Sequence, residues 1–416
     1  MNINKLLEGV SCQCGKYHTC DIKYVYIEDN ACAHLNKICE EYRNILIVAD
    51  ENTYSAAGEK TERELQGKHI KKVIFSGEKI LVPDETAVDT VTAALQGTDL
   101  IIGIGSGVIQ DLCKYVSFKN KIPYLVVATA PSMDGYCSNG AAMIMGGMKV
   151  TYSAGLPLAI VADVDVLKNA PIDMIKAGYG DIIGKFSALN DWKLAHLILG
   201  EYFCPYIYDL TKNQIDRTLT LASGILKRQE DAIKVLMEAL VVIGILMSFA
   251  GSSRPASGSE HHLSHFFEIT GILNNREYFP HGIDVAFSTV ITAQIREKIL
   301  ASKFPVNICC PDTRNEKIHK IYGKIADSCI ALQQKTGYYN TDRAGAYLNN
   351  EAEIRSILAD MPTSKDICNM LGLAELNMDD FYNMYSAQTI ADAVLYAKDL
   401  KDRFTVLWMN YDFYGE

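Results

Sequence analysis

The chain has 416 residues, 49% of them hydrophobic and 22% charged, an apolar share that excludes a disordered or low-complexity protein. The length exceeds what one core usually organises, so two domains are expected. Lys and Arg number 40 against 50 Asp and Glu, a net charge of -10. That balance argues against nucleic acid and anionic membranes as partners, and leaves room for a local basic pocket around a small phosphorylated molecule.

The opening residues, MNINKLLEGVSC, lack the basic head and apolar core of a signal peptide. The 12 cysteines are scattered along the chain, so a cytoplasmic setting with free thiols is expected. Cys12-Gln13-Cys14-Gly15 with His18 and Cys20 resembles a zinc knuckle but lacks a second, distant cysteine pair at ligand spacing. A thiol-bearing strand and turn is the favoured reading there.

Five short apolar runs follow, at 44–50, 71–76, 99–105, 123–130 and 158–163. Each is apolar on successive residues and rich in β-branched side chains, the pattern of strands buried on both faces of a parallel sheet. Helical patterns alternate with them, such as 86–95, entered through Pro83-Asp84. Asp50 closes the first run, where its carboxylate can hold an adenosine ribose or cap the next helix. Gly103-Ile104-Gly105-Ser106-Gly107 sits between a strand and a helical pattern. Glycines permit positive φ and close backbone approach, and a helix N-terminus attracts a pyrophosphate. The spacing is neither the GxGxxG fingerprint nor a P-loop, so a tight turn without a ligand stands beside the phosphate reading. The Gly-, Ser- and Met-rich stretch 131–157 reads as an ordered loop or hairpin.

Past residue 171 the strand-like runs give way to long amphipathic patterns. The expected division is an α/β domain at 1–170 and a helical domain at 171–416, and two such domains in close contact would leave a cleft between them. The apolar stretch 239–251 is too short to cross a bilayer, which takes about 20 residues, and reads as a buried core helix. In the helical half His261 and His265 share a helix face, His281 follows in Pro280-His281-Gly282, and Asp181 lies in GYGDIIGK one turn before Lys185. A carboxylate and two imidazoles make a three-donor set with open positions for water or substrate, as in catalytic divalent-metal sites.

Taken in order, GIGSGVIQDLCKY, ATAPSMDGYCSNGAAM, GYGDIIGK, RPASGSEHHLSH, FPHGIDVA and the terminal YAKDLKDRFTVLWMNYDFYG resemble the bacterial branch of the sn-glycerol-1-phosphate dehydrogenases. That group lies within the iron-containing alcohol dehydrogenase and dehydroquinate synthase-like superfamily. The resemblance implies a Rossmann-like parallel α/β domain binding NAD or NADP, then an all-α domain binding one divalent metal (zinc, nickel or iron). By position, Asp181, His261 and His281 match the metal ligands, and Asp134 and His265 match residues at the substrate. Gly103, Gly105, Ser106, Gly107 and Asp111 match the pyrophosphate loop; Thr129, Ser132 and Ser138 match nicotinamide contacts. Val108 and Gln110 depart from the usual Thr and Asn. His262, about 100° round the helix from His261, is set aside as a ligand in favour of His261.

The implied reaction is reversible reduction of dihydroxyacetone phosphate, a small phosphorylated triose, by a homodimeric enzyme. Lys185 and Arg254 are candidate phosphate cations, with a simple ion pair as the alternative for each. Three other readings compete: a polyol dehydrogenase on an unphosphorylated substrate, a dehydroquinate synthase-like cyclase, and a non-catalytic metal-binding protein. The cyclase should carry a glutamate as its first ligand, and Asp181 argues against it.

Overall fold

The computed structural model describes residues 3–146, 148–308 and 314–415, with the side chains of 148 and 149 left out. Ten strands lie in its first part: β1 (Val10–Ser11), β2 (Tyr17–His18), β3 (Tyr24–Glu28), β4 (Asn44–Asp50), β5 (His69–Phe75), β6 (Leu100–Gly105), β7 (Tyr124–Ala128), β8 (Gly140–Met145), β9 (Met148–Ser153) and β10 (Ala159–Asp163). Six of them form one parallel sheet in the order β3-β10-β7-β6-β4-β5. β6, β7 and β10 are buried along their whole length, which is why their sequences run apolar without alternation.

Two expectations need correction. The run 71–76 forms an edge strand, β5, with four of its seven residues exposed, because only one neighbour covers it. β3 was not anticipated: YVYIE forms the opposite edge and pairs residue for residue with β10, from Tyr24↔Ala159 to Glu28↔Asp163. The stretch 131–157 contains the antiparallel hairpin β8–β9. Among the described residues no strand follows Asp163, and the rest of the chain is helical.

By packing, the chain divides into two compact units, Met1–Tyr179 with Asp216–Ser253, and Gly180–Ile215 with Arg254–Glu416. The segment 216–253, expected in the helical half, therefore packs with the sheet-bearing unit. It contains the apolar stretch, which is longer than its sequence suggested: one helix, Glu230–Ala250, long and apolar enough to span a bilayer by length and composition. Yet 78% of its most apolar window is buried within the protein, so the helix serves as core.

Candidate metal and nucleotide sites

In the helical unit the packing begins with glycine. Gly180 and Gly184, four residues apart, share a face of helix Ile172–Leu199. A Cβ at Gly180 would stand 2.4 Å from the Gly282 carbonyl oxygen and 2.7 Å from Ala286 Cβ, and one at Gly184 would stand 2.5 Å from Val285 Cγ1. Helix His281–Leu300 can approach this closely only because both positions lack side chains. The contact sets Asp181 beside His281, the first residue of its helix after Pro280. His261 comes from a third helix, Ser259–Asn274, whose start is fixed by Asp191: one carboxylate oxygen accepts from Ser259 N at 2.6 Å, the other from Arg296 Nη2 at 2.6 Å.

One donor atom each from Asp181, His261 and His281 falls within 4.8 Å of the others. His261 Nε2 is 3.6 Å from Asp181 Oδ1, and the His261 and His281 ring centres are 5.1 Å apart. Burial, helped by Lys185 and His281, holds the His261 imidazole well below its usual pKa, leaving it neutral. Burial pushes the Asp181 carboxyl up, but the Lys185 ammonium beside it outweighs burial and holds the group below its usual range. One ionised carboxylate and imidazole nitrogens gathered at this separation fit a single divalent ion of the zinc, nickel or iron kind.

Glu260 was missed from the sequence, although it directly precedes the histidine pair. It is fully buried; its Oε1 lies 2.6 Å from His261 Nδ1 and accepts from Gly258 N at 2.8 Å. That bond puts the hydrogen of His261 on Nδ1 and turns the Nε2 lone pair toward Asp181, an arrangement characteristic of metal-bound histidines. Ser264 Oγ stands 3.4 Å from His281 Nδ1. His265 lies beside the trio, its ring centre 5.5 Å from that of His281, and is only half-buried. His262 is buried outside the donor group; burial keeps it neutral, and neither ring nitrogen has a hydrogen-bond partner.

The two candidate phosphate cations take the ion-pair alternative. Lys185 Nζ is fully buried, 2.6 Å from Asp181 Oδ1 and 3.0 Å from the Ala256 carbonyl oxygen. Arg254 pairs with Glu201 through two nitrogens and donates to the Phe404 carbonyl oxygen at 2.8 Å. Each cation is thus engaged by groups of the protein itself.

In the sheet-bearing unit, Gly103 and Gly105 end β6, and Ser106 and Gly107 open helix Gly107–Asn120. Their backbones stay out of the left-handed region, so these glycines serve close packing, not unusual φ. A Cβ at Gly103 would lie 2.9 Å from Cys113 Sγ, and one at Gly105 would lie 2.6 Å from Ile109 Cβ. Ser106 Oγ makes no cap bond; it meets Ser132 Oγ at 2.5 Å and receives Tyr136 OH at 3.1 Å. Thr129 N donates to the Gly105 carbonyl oxygen at 3.2 Å, keeping the ends of β6 and β7 together. Asp111 accepts from Ala142 N at 3.1 Å and pairs with Lys114, anchoring the hairpin. Asp134 is buried in the helical turn Asp134–Cys137, against Gly244, where a Cβ would come 2.8 Å from the Asp134 carbonyl oxygen. Ser138 Oγ receives Lys114 Nζ at 3.1 Å. Asp50 caps helix Glu51–Arg63, accepting from Thr53 N at 2.8 Å, so the capping alternative holds.

The family model described as iron-containing alcohol dehydrogenase matches residues 26–171. A glycerol-1-phosphate dehydrogenase (NAD(P)+) of Halalkalibacterium halodurans is 35% identical over 292 residues, covering 68% of this chain and 73% of that relative. The chain belongs to the glycerol-1-phosphate dehydrogenase family. Another member, from Geobacillus thermodenitrificans, is 33% identical over 69% of this chain and 73% of its own. Among solved structures, an iron-containing alcohol dehydrogenase from Thermococcus thioreducens has a TM-score of 0.62 at 14% identity, covering 96% of this chain and 100% of that one. A sulfoacetaldehyde reductase from Bifidobacterium kashiwanohense in complex with NAD+ has a TM-score of 0.58 at 13% identity, covering 91% and 90%. At those identities the likeness is one of fold. Gln110 Nε2 donates to the Gly135 carbonyl oxygen at 2.8 Å and ties the helix to the Asp134 turn.

Proposed function

We propose that the protein reduces dihydroxyacetone phosphate reversibly to sn-glycerol 1-phosphate, with NADH or NADPH as hydride donor and one divalent ion held by Asp181, His261 and His281. The observation that carries this is the compact three-donor cluster in a chain whose relatives bear that activity in their names. Reduction needs a hydride at C2 and a proton at the C2 oxygen, and a bound nicotinamide would supply the hydride. An ion held by Asp181, His261 and His281 would supply Lewis-acid stabilisation of the negative charge that grows on the reacting oxygen.

The chain's own groups do the rest. Glu260 fixes the His261 tautomer, and Lys185 keeps Asp181 ionised while the metal is away. His265, outside the donor set and half-buried, relays the proton between the substrate oxygen and water. The N–H groups opening helix Gly107–Asn120, reached through Gly103, Gly105 and Ser106, receive the pyrophosphate. Thr129 N holds the start of the next segment to that turn and Asp111 anchors the hairpin beside its helix; Ser132 and Ser138 are assigned to the nicotinamide and Asp134 to the substrate. The enzyme is proposed to work in the cytoplasm as a homodimer, and light scattering on the purified chain reads the mass.

The test is NADH oxidation with dihydroxyacetone phosphate before and after chelation. Chelation should abolish turnover, and zinc or nickel should restore it. Dihydroxyacetone, lacking the phosphate, should give a much lower kcat/KM; equal values would select the polyol dehydrogenase reading.

A further inference from the structure

The N-terminal hairpin β1–β2 reverses through Cys12-Gln13-Cys14-Gly15-Lys16. Cys12 N donates to the Lys16 carbonyl oxygen and Gly15 N to the Cys12 carbonyl oxygen, both at 3.0 Å. Gly15 takes φ +86°, a conformation that glycine adopts at no steric cost. The tight reversal gathers both thiols toward His18 on β2. Sulfur atoms of Cys12 and Cys14 and a ring nitrogen of His18 all lie within 4.8 Å of one another, with Cys14 Sγ 3.4 Å from His18 Nε2.

His18 is oriented as a ligand would be. It is 1% exposed, its Nδ1 lies 3.0 Å from the Phe249 carbonyl oxygen, and its ring stacks on Phe249 with centres 5.4 Å apart. A carbonyl oxygen only accepts, so Nδ1 bears the hydrogen and the Nε2 lone pair faces the cysteines. Histidines that bind metal are held by this kind of carbonyl bond at the other ring nitrogen. Two sulfurs and one imidazole select zinc-class ions over magnesium or calcium, which prefer oxygen. Cys20, fourth in the sequence cluster, is buried outside the group.

We propose that Cys12, Cys14 and His18 form a second, structural metal site that takes a zinc-class divalent ion, separate from the carboxylate–imidazole centre. Both thiols lose their protons on binding. A donor from outside the hairpin, or a water, completes the tetrahedron. The ion then pins the hairpin, whose strands are two residues each, far too short to be stable alone.

The experiment is metal analysis and cobalt(II) spectroscopy on the full chain, purified with a non-chelating reductant. Wild type should hold two ions per chain, with a thiolate-to-cobalt charge-transfer absorption and, in the zinc form, an X-ray absorption shell of sulfur at about 2.3 Å. The double substitution Cys12→Ser and Cys14→Ser should leave one ion and abolish that absorption. His281→Ala should also leave one ion but keep it. A reduced wild type that takes up a single ion and shows no thiolate absorption overturns the proposal, whether or not the variants fold. Because the signal is sulfur-specific, its failure is distinguishable from failure of the proposed dehydrogenase centre.

Discussion

Substituting Glu260→Gln isolates one charge behind the metal site. The amide keeps the shape of the side chain and an oxygen that can accept from both Gly258 N and His261 Nδ1, so only the negative charge is lost. A hydrogen bond to an ionised acceptor contributes about 1.5–3 kcal/mol, against about 0.5–1.5 for a neutral one. The difference, about 1–1.5 kcal/mol, corresponds to roughly a tenfold change in an equilibrium constant, at the lower end of the 10–100-fold effects known for residues behind metal ligands. The variant should therefore bind zinc about tenfold more weakly in a competition titration against a fluorescent chelator. Burial raises the Glu260 carboxyl above its usual pKa, so its charge is costly in the metal-free protein and its removal relieves that cost. The metal-free variant should then melt no earlier than metal-free wild type. Wild-type zinc affinity combined with a lowered melting temperature would show Glu260 to be a packing element and refute the reasoning.

Four other outcomes are expected. His281→Ala should lose the ion of the carboxylate–imidazole centre, and turnover should fall by about 10³-fold or more if Lewis-acid stabilisation contributes several kcal/mol; metal analysis and NADH oxidation check both. Lys185→Met leaves a buried Asp181 charge without its cation, costing about 3–5 kcal/mol in the metal-free state, so the rise in melting temperature on adding zinc should exceed that of wild type. Gly180→Ala forces a Cβ to 2.4 Å from the Gly282 oxygen and should destabilise the protein by about 1–3 kcal/mol, read by urea denaturation, with metal affinity falling in step. Gly105→Ala meets Ile109 Cβ at 2.6 Å; it should cost about 1–3 kcal/mol as well and raise the KM for the dinucleotide more than that for the triose.

The buried strands were legible because their burial is complete: β6, β7 and β10 can only be written as unbroken apolar runs. The edges were not, since β3 and β5 mix exposed Tyr, Lys and His with apolar positions and resemble ordinary surface segments. At the metal centre, the histidine-rich window stood out by residue type and by the helical spacing of His261 and His265, and the family resemblance picked out Asp181, His261 and His281 as the ligands. Spacing cannot show that three helices meet, and the feature that makes them meet, Gly180 and Gly184 under Gly282 and Val285, is visible only in space. Glu260 escaped notice because acidic residues in a first helical turn usually serve the helix dipole. Arg254 was ambiguous because its sequence neighbours do not reveal Glu201, the carboxylate it pairs with, whereas Lys185 stands one turn after its partner Asp181 and its ion pair could be read from that spacing.

The two bare positions on helix Ile172–Leu199 also bear on ion choice. With no side chains between the backbones, little can compress or slide to retune the gap between the aspartate and the imidazole that opens the facing helix. The nest is thus sized ahead of its guest, sparing the entropy of gathering three arms at the moment of capture. Such a mould favours cations by radius and bond length, so exchanging glycine for alanine there should alter which metal the enzyme prefers as well as how firmly it holds one.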